Sequence, residues 1–590
     1  MRKDRILQNT FFAQLWACIF SSLASTIGSM VDGVIIGQYL GTDSIAAFGV
    51  INPLLTVFSV FGAIVATGSR TRFTKLIGEG KVKDAQSVFS LSCILSIGLA
   101  TLMMVLILPF ASPFAALLGA SGNAASLLPK ATDYLIGIAI GLPAMNAMKT
   151  LVGYMPIDND RHLPVVASIV LTVSDIIFDL LVVVMHGDTF EMGLATSLSY
   201  YAAVIVLLTH FRKKNILLRF SVKNIRWRDS LTIIRKGAPV GVCRFGNTLR
   251  SASLNHLLAV IASTSAIAAY SVHRQADSFL NPIMLGMAET VCMMAGIILG
   301  EEDRPLMKRL LRTSVRATMV FTLGVAVLAW FFAPVFAQLF IKDNPEALEL
   351  SIAAVRCYAV GMPFYGLNVI YQEYLQGIER SKLSLIAGFM LEAGFLIISA
   401  WVMSAWFGAN AVWYAFPVTQ GLMFIFYAVL ITVESRRLNI RGEGVWNKIL
   451  LLPPSFDVPE ENQMEGSITS MDEVMEMSKT VWDFCKSHGC DTKRTYLISL
   501  SVEEMAGNIV THGFPGDDKE NIINVRLIKN DDLYIIRIRD DCPVFDPVKQ
   551  LELFSEEDPT HHLGLRMTAS MAKEFKYTNI MKLNNLLIKV

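Results

Sequence analysis

Apolar residues fill the first 440 positions of this chain in long blocks separated by short polar breaks, and then the pattern changes. Twelve blocks are long enough to cross a bilayer, at 11–36, 45–67, 88–110, 134–154, 163–185, 192–211, 237–262, 267–298, 315–340, 352–375, 383–407 and 411–432. A hydrocarbon core of about 30 Å takes roughly 20 helical residues, which each block supplies. Beyond 440 the proline-containing, acidic stretch LLPPSFDVPEENQ reads as a linker or a first strand. Ser470 followed by Glu473 has the spacing of a capping box and opens a helix to about 487. A second helix is predicted over 492–512, then alternating strands over 522–528 and 533–539. A polar stretch, a helix opening at HHLGLRM and two short strands follow, giving the order α-α-β-β-α-β-β. The pattern therefore predicts an all-α polytopic membrane protein of twelve transmembrane helices with a C-terminal α+β domain.

The apolar part repeats itself. GTDSIAAFGV at 41–50 aligns with STSAIAAYSV at 263–272, an offset of 222 residues. The same offset brings Ile77-Gly78-Glu79 onto Leu299-Gly300-Glu301. An even number of spans per half makes the two six-helix repeats parallel, related by an axis along the membrane normal. The expected organisation is a first six-helix lobe at 1–222, a second at 223–440, a linker at 441–460 and the polar domain at 461–590.

Charge fixes an orientation. Loops on one side carry almost no Lys or Arg beyond Lys130 and Lys342, whereas the other side holds Arg2, Lys3, Arg5, Arg70, Arg72, Lys75, Lys81 and Lys83. The central loop adds Arg212, Lys213, Lys214, Arg219, Lys223, Arg226 and Arg228. By the positive-inside rule both termini are cytoplasmic, in a plasma (inner) membrane whose lipid is the main contact of the spans. The net charge of +1 averages over this asymmetry, and no basic patch interleaved with aromatics suggests a nucleic-acid partner. The eight cysteines are scattered with no C-x-x-C pair, against a disulfide framework or a zinc site. The first apolar block is too long for a cleavable signal peptide.

Ionisable residues inside a span are costly and point to function. Asp32 lies in span 1, and Asp175 and Asp179 lie in span 5. Their i, i+4 spacing puts the span-5 carboxylates on one helix face, about 6 Å apart. Two such groups in a low dielectric resist joint ionisation, so they hold a proton or share a cation. The second lobe carries Arg244, Arg250 and His256 in span 7, His273, Arg274, Asp277 and Glu289 in span 8, and Arg356, Glu373 and Glu392 later. Arg274 and Asp277 are spaced to pair with each other.

Span 1 with its Asp, GTDSIAAFGV and LIGEGKVKDA together resemble the multidrug and toxic compound extrusion (MATE) family, over about three-quarters of the chain. The resemblance implies a Na+ or H+ site in the first lobe, with Asp32 matching a span-1 Asp, Asp179 a span-5 Asp and Thr196 a span-6 Thr. Asp175 stands where the family has Asn, leaving H+ and Na+ both open. A substrate cleft between the lobes would be lined by Arg244, Arg250, His273, Arg274, Asp277 and Glu289. Such an Arg-lined cleft fits anionic or zwitterionic solutes better than organic cations.

The C-terminal order, with VEEMAGNIVTH on its second helix, resembles the histidine-kinase-type ATPase domain, an α+β sandwich, and in particular its anti-sigma-factor serine-kinase branch. That resemblance implies Glu504 as general base, Asn508 as the Mg2+ ligand against ATP phosphates, and Asp540 as acceptor for the adenine amino group. Gly564 would supply backbone N–H groups at a helix start, and Asn585 would lie near the last strands. Cys542 replaces the Gly of the family's D-x-G, and His562 the first Gly of its lid, so nucleotide binding without phosphoryl transfer is one expectation. The resemblances imply a small-solute antiporter coupled to H+ or Na+, regulated by an ATP-binding domain or carrying a serine kinase. Two other readings stay open: a membrane sensor signalling to an anti-sigma-antagonist-like partner, and a lipid-linked precursor flippase; the ATPase domain's partner would be such a protein or a second copy in a homodimer.

Overall fold

The computed structural model describes residues 5–35, 39, 42–117, 126–214, 216–222, 225–261, 264–341, 344–440, 444–514, 521–553 and 563–590. Two compact units emerge. One comprises Gln14–Glu301 and Pro305–Leu452, the other Met1–Ala13, Glu302–Arg304 and Pro453–Val590.

The apolar blocks form helices α1 (Arg5–Ile35), α2 (Thr42–Gly78), α3 (Val82–Leu117), α4 (Leu128–Ala139), α5 (Leu142–Tyr154), α6 (His162–Val184) and α7 (Thr189–Leu208) in the first lobe. The second lobe holds α8 (Asp229–Ile261), α9 (Thr264–Glu301), α10 (Arg304–Phe340), α11 (Pro345–Gly377), α12 (Ser381–Phe389), α13 (Phe395–Phe407) and α14 (Ala415–Arg437). Each of the twelve predicted blocks lies on one of these helices or on a broken pair. Among the described residues nine helices are long and apolar enough to span on that measure, or ten if the bent pair α4 and α5 is one span. The α4–α5 break is a 46° bend, where a proline opens α5. The span over α12 and α13 is interrupted by a π-helical turn at Met390–Gly394. A short helix, α15 (Val445–Leu450), occupies part of the stretch expected to be linker.

The repeated Gly78 and Gly300 meet each other. A Cβ on Gly78 would fall 2.0 Å from the Ile297 carbonyl oxygen, and one on Gly300 would fall 2.1 Å from that of Lys75. Gly68 and Gly237 make a second close crossing, the Gly68 Cβ position lying 1.9 Å from Ile233 O. Small residues let helix backbones approach where bulk would hold them apart. Beside these crossings Glu379, in the α11–α12 turn, takes Lys75 at 2.9 Å and also binds Lys236. Burial alone would raise the Glu379 carboxyl, but Lys236 and Lys75 outweigh it and hold it below its ordinary range.

In the other unit the sheet order is β1-β2-β3-β5-β4, all antiparallel. Its strands are β1 (Gln463–Ile468), β2 (Ile523–Asn530), β3 (Leu533–Asp540), β4 (Glu574–Ile580) and β5 (Leu583–Lys589). Helices α16 (Met471–Ser487), α17 (Thr492–Asn508), α18 (Pro547–Leu553) and α19 (Leu563–Met571) complete it. Val474, Val481, Ile498 and Val502 of the helices pack on Val525, Leu527, Ile536 and Ile538 of the sheet. Alternation sends Arg526, Arg537 and Arg539 to the opposite face, where all three are nevertheless buried. The Ser470 hydroxyl accepts from Glu473 N as a helix cap, while the Glu473 carboxylate returns to Thr469 N rather than to Ser470. The first strand offered as an alternative to a linker appears as β1, beginning at the last residue of that stretch, whereas α18 is new and α17 ends at Asn508 in a π-helical turn, Ile509–Gly513.

Candidate functional site

In the first lobe α6 packs against α1 through short polar contacts. Ser21 and Ser168 hydroxyls lie 2.8 Å apart, and the Thr172 hydroxyl donates to Ala24 O at 3.0 Å. Thr172 also abuts Gly28, whose Cβ position would be 3.0 Å from its hydroxyl. Positions 168, 172, 175 and 179 recur at helical spacing on that same face, so Asp175 and Asp179 continue the seam. Both are buried, Asp179 to 1% exposure and Asp175 to 5%. Asp179 Oδ1 makes no hydrogen bond among the described residues. The backbone of Asp32 is one turn beyond Gly28 on α1, and its side chain lies outside the described residues. Thr196, on α7, returns its hydroxyl to Met192 O at 3.4 Å.

In the second lobe Arg250, His273, Arg274 and Asp277 converge on a cavity of about 20 Å³, too small for an organic solute. Arg244 and Glu289 do not line it: Arg244 is exposed, and Glu289 faces Arg70 at 3.6 Å. The spacing-based pairing of Arg274 with Asp277 is corrected. Asp277 instead faces Arg250 at 3.4 Å and accepts from Tyr358 at 3.1 Å, and Arg274 bonds Ser251. The reason is reach, because α8 and α11 bring better-placed partners than the i+3 neighbour. Glu392, at the centre of the π-helical turn, approaches Arg250 at 3.5 Å and accepts from Tyr365 at 3.0 Å.

The ATPase-like unit holds a far larger cavity, about 420 Å³, lined by Asn508, His512, Asp540, Cys542, Tyr577 and Asn584 among others. That volume lies in the range of small-ligand sites. Asp540 is 3% exposed, and its Oδ1 accepts from Asn584 Nδ2 at 2.6 Å and from Cys542 N at 3.0 Å. Both bonds fall on one oxygen of a carboxylate that lines the cavity. Burial pushes the Asp540 carboxyl above its ordinary range, against the pull of the Asn584 amide and of the Cys542 backbone and side chain. The Cys542 side chain lines the cavity and packs toward Gly513, its Cβ 3.4 Å from the Gly513 Cβ position.

Glu504 is not among the lining residues; its carboxylate rests on Gly564, where a Cβ would collide at 2.2 Å. Expected residues Asn508 and Asp540 therefore meet in one cavity, and Glu504 and Gly564 meet beside it. Asn585 does not line it. Its neighbour Asn584 does, because adjacent strand residues face opposite ways. His562 lies outside the described residues. Among the described residues no cluster of His, Cys, Asp and Glu is arranged to hold a metal, so a Mg2+ would depend on Asn508 and the phosphates.

Comparison with known proteins gives two matches to family models. MatE matches residues 17–181 and 239–402, more than half of the chain, and a histidine kinase-like ATPase domain matches 469–588. The multidrug export protein MepA of Staphylococcus haemolyticus is 22% identical over 420 residues, covering 70% of this chain and 91% of that protein. MepA of Staphylococcus aureus is 20% identical over 426 residues, covering 72% and 93%. Among solved structures, an outward-facing multidrug resistance MATE family transporter of the MOP superfamily superposes with a TM-score of 0.67 at 18% identity, covering 71% of this chain and 94% of that one. A mutant of the Vibrio cholerae MATE transporter VcmN gives 0.67 at 16%, covering 76% and 100%.

Proposed function

The chain belongs to the MatE family and carries a histidine kinase-like ATPase domain, and from that premise we propose a secondary active efflux transporter regulated by ATP. The observation that carries the coupling is the buried Asp175–Asp179 pair on the α1-facing side of α6. With Asp32 at a matching level of α1 and Thr196 on α7, these groups form the site for H+ or Na+. Loading and release of the ion change the charge of a dry site, and that difference biases the two lobes between arrangements. The glycine crossings set the Arg- and Lys-bearing end of α2 against the end of α9 at Gly300 and the start of α8 at Gly237, on the side that the positive-inside rule makes cytoplasmic. Lobes joined there correspond to an outward-facing state.

The solute binds between the lobes, where Arg244, Arg250, His273, Arg274, Asp277 and Glu289 are the candidate contacts. Arg250 is offset by Asp277 and Glu392, so in place of the anionic or zwitterionic solute expected from an Arg-lined cleft we propose a neutral or cationic organic one. The ATPase domain binds Mg-ATP through Asn508 and Asp540, with Glu504, which meets Gly564 beside the cavity, as the general base. Nucleotide binding then regulates efflux, or Glu504 assists transfer of the γ-phosphate to a partner or to loop 212–236.

Cells making the protein are expected to retain less of a cationic dye such as ethidium than cells making none. Collapse of the H+ or the Na+ gradient should abolish the difference. Equal retention of ethidium and of an anionic dye such as calcein, with and without gradients, would rule the efflux reading out. The crossing supplies a separate prediction: Gly300→Leu keeps the lobes from closing on the cytoplasmic side. Dye efflux should fall at least tenfold at unchanged membrane expression.

A further inference from the structure

Helix α9 ends at Glu301 and α10 begins at Arg304, so only Glu302 and Asp303 form the turn between them. Glu302 adopts the left-handed φ of 54° that so tight a reversal needs. The segment Glu302–Arg304 is part of the same compact unit as Pro453–Val590. Within that unit Asp303 is fully buried, at 0% exposure, on the arginine face of the sheet. Its Oδ2 accepts from both terminal nitrogens of Arg539 at 3.2 Å and lies 3.3 Å from Arg526. Arg526 in turn holds both oxygens of Asp457 at 2.7 Å, and Asp457 accepts from Arg304 N at 3.0 Å. The Arg304 side chain closes the ring by donating to Pro453 O at 2.6 Å and Phe456 O at 3.1 Å.

We propose that Asp303 is the joint through which nucleotide occupancy of the ATPase domain is passed to α9 and α10. This rests on the reading of that domain as a nucleotide-binding regulator. Three features support it. First, Arg539 immediately precedes Asp540 on β3, so a ligand on one sheet face and Asp303 on the other hold consecutive residues of one strand. Second, a two-residue turn gives Asp303 no slack, and its displacement moves two helix ends together. Third, buried ion clusters such as this one add little net stability over apolar packing, and their best-attested use is to fix one arrangement against another.

The test is hydrogen–deuterium exchange on the full chain in detergent, with and without Mg-ATP. Wild type is expected to gain protection at peptides covering 505–513 and 540–547, and to change exchange at 295–312. Asp303→Asn should retain the first change within about twofold and lose the second. Arg539→Gln, which keeps α9 and α10 intact, should behave alike and guards against misfolding of the turn variant. Wild type responding at the cavity but not at 295–312, or Asp303→Asn responding at both, would overturn the joint while leaving nucleotide binding in place. Wild type with no change at 505–513 and 540–547 would overturn the nucleotide reading on which the joint rests.

Discussion

Asp179→Asn is expected to reduce gradient-driven efflux at least tenfold while leaving membrane expression and folding unchanged. Asp179 is nearly the most enclosed group on α6, with one oxygen lacking a hydrogen bond among the described residues. An amide fills the same volume but carries neither the proton nor the negative charge that a cation requires. Coupling therefore fails, whereas packing against α1 through Ser168 and Thr172 persists. Asp175→Asn is expected to behave differently. It lowers the charge of the site by one and relieves carboxylate repulsion, so efflux should continue with an altered preference between H+ and Na+. Efflux assays in which each gradient is imposed separately measure both outcomes. Unimpaired efflux by Asp179→Asn under both gradients would remove the carboxylate pair from the coupling mechanism.

Asn508→Ala is expected to abolish measurable Mg-ATP binding by the full chain, and Asp540→Asn to weaken it strongly. A hydrogen bond to a charged group contributes about 1.5–3 kcal/mol, which corresponds to roughly a tenfold to hundredfold loss in affinity. Asp540 lines the cavity with one oxygen already held by Asn584 and the Cys542 backbone, and the adenine amino group is expected at the other. An Asn there must present its NH2 group to one of these directions, and either choice breaks an acceptor contact. Equilibrium binding of a fluorescent ATP analogue measures both variants. Unchanged affinity in both would show that the cavity of about 420 Å³ takes something other than ATP.

Much of this architecture is legible in the sequence because lipid leaves few alternatives to apolar helices. The duplicated Ile77-Gly78-Glu79 and Leu299-Gly300-Glu301 disclosed the repeat, but not that the two glycines meet, since a repeat carries no information about which surfaces face each other. The π-helical turns at Met390–Gly394 and Ile509–Gly513 were hidden because one inserted residue leaves the apolar pattern nearly unchanged. Those turns hold Glu392 and His512. The exchange of Asn585 for Asn584 is a problem of parity: on a strand a slip of one residue reverses the face. Asp303 reads in sequence as an ordinary charged turn residue, and its complete burial depends on Arg526 and Arg539, more than two hundred positions away. The buried Asp175–Asp179 pair is the most legible candidate because an ionisable residue stands out against an apolar helix.

The most direct measurement is dye transport in vesicles reconstituted with the purified full chain, with ion gradient and Mg-ATP varied independently. The expected result is movement of ethidium against its own gradient whenever an opposing H+ or Na+ gradient is imposed, without nucleotide, and a change in its rate when Mg-ATP is present on the domain's side. Uphill movement sustained by Mg-ATP with no ion gradient would contradict secondary coupling.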